Sequence, residues 1–409
     1  LIAILTSLFL SILSLKAEVY YVKPKAYLDV TSGQMVYGKI IGIKDETIKS
    51  ISSTFPQGSK LINLPDTYLV PGFTDCHTHL LFTQEKKDHG FEGALQRELK
   101  LSDDFRIQRA KEFLKQYTKA GFTAVCDLGN SGNFLDYKLK TQIKDDPAYP
   151  AMYISGPGIA SASGQFENLN SKALAKKEYT LIDKNTDIDK MLAPYLEKKV
   201  DILKVYLDNS PGPGNLTEML LKKILFNKQS KKFKKITFHA SSQFAYDMAV
   251  KYHLHNLEHL TGAVFKEAGL KKTIFITPTD IDMETLKAFD YYNKFFYDNQ
   301  INRLKFIYKK NINIVFGADF YFNRTDALFN RAEHVKKTIK VFQLAGIKNI
   351  DILRFLTINP ARTLGDDKKW GEISVRHLAN LIGFSKNPLE DLSIIQENPI
   401  VINRGHFLK

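Results

Sequence analysis

The 409-residue chain contains only two cysteines, Cys76 and Cys126. Two thiols exclude the multiple-bridge framework of a small secreted scaffold and also a four-thiolate metal site, so any metal must be held by His and carboxylates. Internal repeats and low-complexity tracts are missing too. With 44% hydrophobic, 25% charged and 12% aromatic residues, the composition is that of an ordinary globular protein and excludes disordered and collagen-like classes. Long apolar runs are scarce: the uncharged stretch Leu1 to Leu15 falls short of the roughly 20 residues that a membrane span needs.

Lys16-Ala17-Glu18 follows that stretch and supplies a small residue suited to cleavage. Residues 1–17 are therefore expected to be a signal-peptide-like segment of an exported protein, periplasmic or extracellular, whose mature chain has no stable membrane span. The chain shows neither an initiator Met nor a basic stretch before the apolar run, which suggests a trimmed start. Lys and Arg number 58 against 44 Asp and Glu, a net charge of +14. The lysines are scattered, and the one dense cluster, Lys231-Lys232-Phe233-Lys234-Lys235, reads as a solvated turn before an apolar run. It forms no aromatic-interleaved stripe, so nucleic acid is not an expected partner.

From Thr67 onward, short β-branched or apolar runs alternate with longer amphipathic segments. The first four are Tyr68 to Asp75, Thr123 to Leu128, Ala151 to Ser155 and Asp201 to Leu207. Lys235 to His239, Asn256 to His259, Thr273 to Thr277 and Asn313 to Gly317 follow. Eight such runs in a chain long enough for a barrel of roughly 250 residues plus a smaller domain predict an α/β fold, a (β/α)8 TIM-like barrel over 67–365. Between the first two runs, Asp103 to Ala120 predicts a helix, with Phe105, Ala110, Phe113, Leu114 and Tyr117 near the helical period and Gly121 as a stop. The flanks, 18–66 and 366–409, read as short alternating strands. Neither is long enough to stand alone, so together they predict one small β-sandwich domain.

His77-Thr78-His79 closes the first run, where alternation places both imidazoles on one face as a metal clamp. Lys204 lies in the fourth run, His239 and His259 end the fifth and sixth, and Asp319 follows the eighth. In a barrel, residues at the C-terminal ends of different strands converge on one mouth. Neutral imidazoles and a carboxylate there suit a divalent metal such as Zn, able to activate water at an open position. Cys76 should alternate onto the opposite face from the two histidines and pack against the helix layer. Tyr206, two residues after Lys204, should aim its phenol into the same mouth, within reach of a substrate carboxylate or carbonyl.

Pro71-Gly-Phe-Thr-Asp-Cys-His-Thr-His79 resembles the first-strand signature of the amidohydrolase superfamily of metal-dependent hydrolases. Phe238-His-Ala240, Leu257-Glu-His259, Phe316-Gly-Ala-Asp319 and Leu356-Thr-Ile-Asn-Pro-Ala361 are similar to its later motifs, in order. The nearest similarity within it is to imidazolonepropionase-like members, including prolidase-type dipeptidases. This resemblance implies an enzyme that hydrolyses a C–N bond of a small peptide-like amide or dipeptide. It further implies two metals, one on His77, His79 and Asp319 and one on His239 and His259, bridged by a carboxylated Lys204, with Asp319 passing a proton to the leaving nitrogen. Gln165, on the long loop after the third run, stands where relatives often carry a histidine, and with Tyr206 it is the candidate substrate contact. The alternatives are a mononuclear cyclic-amide hydrolase or deaminase of the same superfamily, with one metal and an unmodified Lys204, and a non-catalytic surface binding protein on the same scaffold. Homo-oligomerisation is an open expectation.

Overall fold

A computed structural model describes residues 19–161, 177–208, 215–262, 269–324 and 329–408. The signal-peptide-like segment and Gln165 fall outside them. Among the described residues no helix is long and apolar enough to cross a membrane.

The two ends of the chain meet in one β-sheet. Tyr20–Asp29 alternates buried and exposed positions, as a strand with one face on a core must, and it pairs antiparallel with Gln34–Tyr37 and Ile40–Lys44. Thr47–Ser52, Lys60–Pro71, Leu381–Phe384, Ile400–Asn403 and His406–Leu408 complete eight strands. Val22, Ile41, Ile43, Ile48 and Leu69 from the first flank pack against Ala379, Leu381 and Ile402 from the second. The expected sandwich takes the form of a single sheet folded over this core. Its far edge returns to the other flank where Ile48 donates to the His377 carbonyl at 2.9 Å and Ala379 to that of Glu46 at 2.7 Å.

One strand was expected over Tyr68 to Asp75, and two are present. Lys60–Pro71 runs in the terminal sheet, past the expected boundary at 67, with Tyr68 paired to Phe384. Phe73–Thr78 is the first barrel strand. Gly72 separates them because a Cβ there would lie 2.2 Å from Thr123 Oγ1, so only glycine allows the backbones this close.

The remaining barrel strands are Phe122–Asp127, Ala151–Ile154, Ile202–Tyr206, Lys235–Ala240, Asn256–His259, Phe275–Thr277 and Asn313–Ile314. The first three strands pair in parallel with one another, as do the last five, and the two groups meet where Asp201 donates to the Ile154 carbonyl at 3.0 Å. The ring closes where Cys76 donates to the Phe316 carbonyl at 2.9 Å and Asp319 to the His77 carbonyl at 2.8 Å. The fold is therefore α/β, a (β/α)8 barrel joined to a β-rich domain built from both chain ends.

Helix Asp103–Lys119 starts where the Ser102 hydroxyl accepts from the Phe105 N–H at 3.2 Å. It buries Ile107, Ala110, Phe113, Leu114 and Tyr117. Leu114 is fully enclosed, so its truncation to Ala costs about 2–5 kcal/mol. Phe105, expected on that apolar face, is 54% exposed and lies instead beneath the Arg109 guanidinium.

Two other expectations are corrected. Cys76 does not face the helix layer: it lies with Cys126, Ile202, Val315, Leu364 and Trp370 in a separate buried cluster, the two sulfurs 3.5 Å apart. Ile202 shares the face of Lys204 and Tyr206, so this cluster is the lower interior of the barrel. The register shift between Asp75 and Thr78 breaks the strict alternation on which the expectation rested. The lysine cluster is only partly a solvated turn. Lys231 and Lys232 end a short 3-10 helix and are exposed, but Phe233 and Lys235 are buried.

Candidate metal centre

The first barrel strand delivers His77 and His79 with their ring nitrogens already committed on one side. His77 Nδ1 lies 2.7 Å from Glu258 Oε2, and His79 Nδ1 lies 2.9 Å from the Gly129 carbonyl. Each anchor requires the proton on Nδ1, which leaves both Nε2 lone pairs free. Both Nε2 atoms face Asp319 Oδ1, at 3.5 Å from His77 and 3.0 Å from His79.

That carboxylate oxygen is buried and has no hydrogen-bond partner among the described residues. A buried orphan acceptor flanked by two lone pairs is costly unless a cation sits among them. Donor atoms of His77, His259 and Asp319 lie within 4.8 Å of one another, as metal ligation requires. The residues thus fit a divalent cation.

Asp319 (φ +49°) and His259 (φ +74°) both adopt the left-handed region, which side chains rarely occupy. Asp319 is held there by its N–H bond to His77, and His259 by the Thr279 hydroxyl 2.7 Å from its Nδ1. Strain of this kind persists where the surroundings over-determine it, commonly at functional sites.

His239 packs edge-on to His259, ring centres 4.4 Å apart, and its Nε2 is 3.1 Å from Ser241 Oγ. Lys204 is buried, its ammonium end 5.5 Å from the centre of the Tyr206 ring. Burial lowers its pKa, against the pull of Glu258 and Asp319. Burial, then Lys204, lowers His77, and the same causes bring His239 down to about 3. His259 is held well below its ordinary value by burial and by His239. These three imidazoles are therefore neutral at pH 7, the form that ligates metal. Burial would raise Asp319, but His77, His79 and Lys204 keep it lowered and hence ionised.

All six candidate ligands thus face one region. Tyr206 stands beside it, 5.4 Å from the His239 ring and the same distance from Tyr179, but is only 7% exposed and forms a wall more than a rim. Several supporting residues carried no clear sequence signal. Glu258 also accepts from the Thr237 hydroxyl; burial would raise it, but His77, Lys204 and Lys235 hold it well below the carboxylate range. Asp75 Oδ1 accepts from the N–H groups of His77 (3.1 Å) and Ala318 (3.0 Å), tying the first strand end to the eighth. Arg331, fully enclosed above the Phe113 ring, donates to the carbonyls of His79 and Phe82. Asp208 accepts from the N–H groups of Ser241 and Ser242 and leaves Oδ1, unpartnered among the described residues, 3.7 Å from His239 Nε2. The only signal for Glu258 was an acid inside a buried run; for Asp208, an acid just past a strand end.

Histidines, a lysine and an aspartate gathered at the strand ends of a barrel stand where barrel enzymes carry their active sites. The chain matches the Amidohydrolase family model over residues 68–403, and it belongs to that family. It is accordingly a hydrolase acting on carbon–nitrogen bonds.

Solved structures share the fold. A Xaa-Pro dipeptidase with bound methionine superposes with a TM-score of 0.79 at 19% identity, covering 96% of this chain and 100% of that one. A prolidase complexed with N-methylphosphonate-L-proline gives 0.78 at 16% identity, covering 96% and 99%. An ochratoxinase from A. niger gives 0.79 at 17%, covering 96% of each chain. No curated protein matches significantly in sequence.

Proposed function

We propose that this protein is an exported, metal-dependent amidohydrolase that cleaves peptide-like amide bonds, with dipeptides as the leading substrate class. The observation that carries the reading is the unpartnered Asp319 Oδ1 facing the Nε2 atoms of His77 and His79. His77, His79 and Asp319 would hold one divalent ion and His239 and His259 a second, zinc being the natural choice for such a nitrogen-rich set. When bound, the metal supplies a Lewis acid that polarises the amide carbonyl and brings the pKa of a water toward neutrality.

The protein's own groups do the rest. Asp319, ionised and 20% exposed at its side chain, takes the proton of the attacking water on a carboxylate oxygen and returns it to the leaving nitrogen. Lys204, buried with a lowered pKa, favours the neutral amine that adds CO₂ and releases a proton to become a carbamate. That anion would offset the charge of two cations among otherwise neutral imidazoles. Tyr206, from the wall, and Gln165 are the candidate contacts to the substrate's polar groups.

A one-metal reading is favoured by a different observation: among the described residues, the tight ligand group consists of His77, His259 and Asp319. Profiling metal-loaded protein against a dipeptide library, with Xaa-Pro members included, tests the substrate class. Hydrolysis of a subset is expected. No turnover of any dipeptide, alongside turnover of a cyclic amide, would move the assignment to the one-metal class.

A further inference from the structure

The end of the barrel opposite the metal centre carries a second concave site. It is a cavity of about 560 Å³ at the starts of the fifth, sixth and seventh strands, within the range of small-molecule pockets. Lys231, Lys234, Arg362, His253 and His255 line it, and no Asp or Glu among the described residues does. Lys234 is engaged, 2.7 Å from Asp366. Lys231 and Arg362 are exposed and make no ion pair among the described residues. Ser230, which also lines the cavity, is 1% exposed, and its hydroxyl has no hydrogen-bond partner among the described residues. A buried hydroxyl left unmade in this way costs stability that an incoming acceptor oxygen would recover.

Two aromatic residues add an apolar side. Phe226 is 69% exposed, an unusual position for so large a ring, and Phe233, which is buried, also lines the cavity. A guanidinium, an ammonium and an unpartnered hydroxyl lining one cavity match the oxygens of a phosphate, and the phenyl faces match a planar ring.

We propose that this cavity binds a small aromatic phosphate monoester, its phosphate on Arg362, Lys231 and Ser230 and its ring against Phe226. The site is separate from the catalytic mouth and does not depend on what the metal centre hydrolyses. It also gives a role to the basic cluster at Lys231–Lys235, whose density a mere turn does not require.

Isothermal titration of the metal-loaded full chain with phenyl phosphate, inorganic phosphate and phenol tests this. Phenyl phosphate should bind more tightly than either fragment. The double variant Lys231→Glu/Arg362→Glu should weaken it at least about tenfold while dipeptide turnover is retained. Phe226→Ala should weaken phenyl phosphate but leave inorganic phosphate unchanged, and this milder variant decides the matter if the double variant fails to fold. Equal affinity in wild type and variants would place any binding outside this cavity and overturn the proposal, as would no detectable binding to wild type.

Discussion

Replacing Glu258 tests whether the support behind His77 sets metal affinity. Glu258 is fully buried, its Oε2 2.7 Å from His77 Nδ1, and its other oxygen takes the Thr237 hydroxyl. Gln preserves the shape: its carbonyl can accept from His77 Nδ1 while its amide group donates to Thr237 Oγ1, so the imidazole tautomer survives and only the charge is lost. A hydrogen bond to a charged group is worth about 1.5–3 kcal/mol and a neutral one about 0.5–1.5, so the change costs about 1–1.5 kcal/mol. That corresponds to about tenfold weaker metal binding. Glu258→Ala removes the anchor altogether and should reach about 100-fold, the upper range for outer partners of a metal-bound histidine. Competition with a chromophoric chelator at pH 7.5 reads both, with circular dichroism as the control for folding. Affinities within about twofold of wild type in both variants, a difference of roughly 0.4 kcal/mol, would refute the reasoning. The sign of the pH effect follows from the lowered pKa of Glu258. Its contribution to stability is fully present above its unfolded value of about 4.3 and is lost as pH falls through the lower folded value.

Asp319→Asn should keep the fold yet lower kcat, read at saturating metal, by at least about 10²-fold, because an amide cannot accept the proton; wild-type kcat would remove Asp319 from proton transfer. Lys204→Ala should lose the second metal, and added short carboxylates should restore part of the activity; two metals and full turnover in that variant would exclude a bridging role. Asp136 behaves oppositely to Glu258: burial, then Asp127, pushes it up to about 7. Its contribution is fully present below its unfolded value of about 3.9 and is lost as pH rises through about 7. In urea unfolding, the stability difference between wild type and Asp136→Asn should therefore move against the wild type from pH 5 to pH 8, and a constant difference would contradict it.

Much of the barrel is legible in the sequence because a barrel strand buried on both faces writes itself as a short apolar run, and all eight runs overlap observed strands, seven of them one strand each. The exception, Tyr68 to Asp75, is equally apolar across two strands. The break at Gly72 comes from a contact with Thr123, fifty-one residues away, that no local pattern records. His77, His79, His239, His259 and Asp319 were readable because each stands at or just past a strand end. Glu258 was not, since a strand residue beside His259 should point the other way. The left-handed backbone of His259 lies outside the strand alternation on which such a reading depends. Cys76 failed for a related reason, the register shift after Asp75. Arg331 and Asp75 support the site through backbone groups, and contacts to backbone leave no trace in residue identity.

The most direct test of the account is metal dependence itself. The purified full chain is dialysed against chelator, its metal content measured by elemental analysis, and zinc then restored stepwise while hydrolysis of the best dipeptide is followed. The account predicts that turnover vanishes with the metal and returns in proportion to zinc bound, saturating at two ions per chain. Full turnover by protein containing less than about 0.1 metal ion per chain would contradict it.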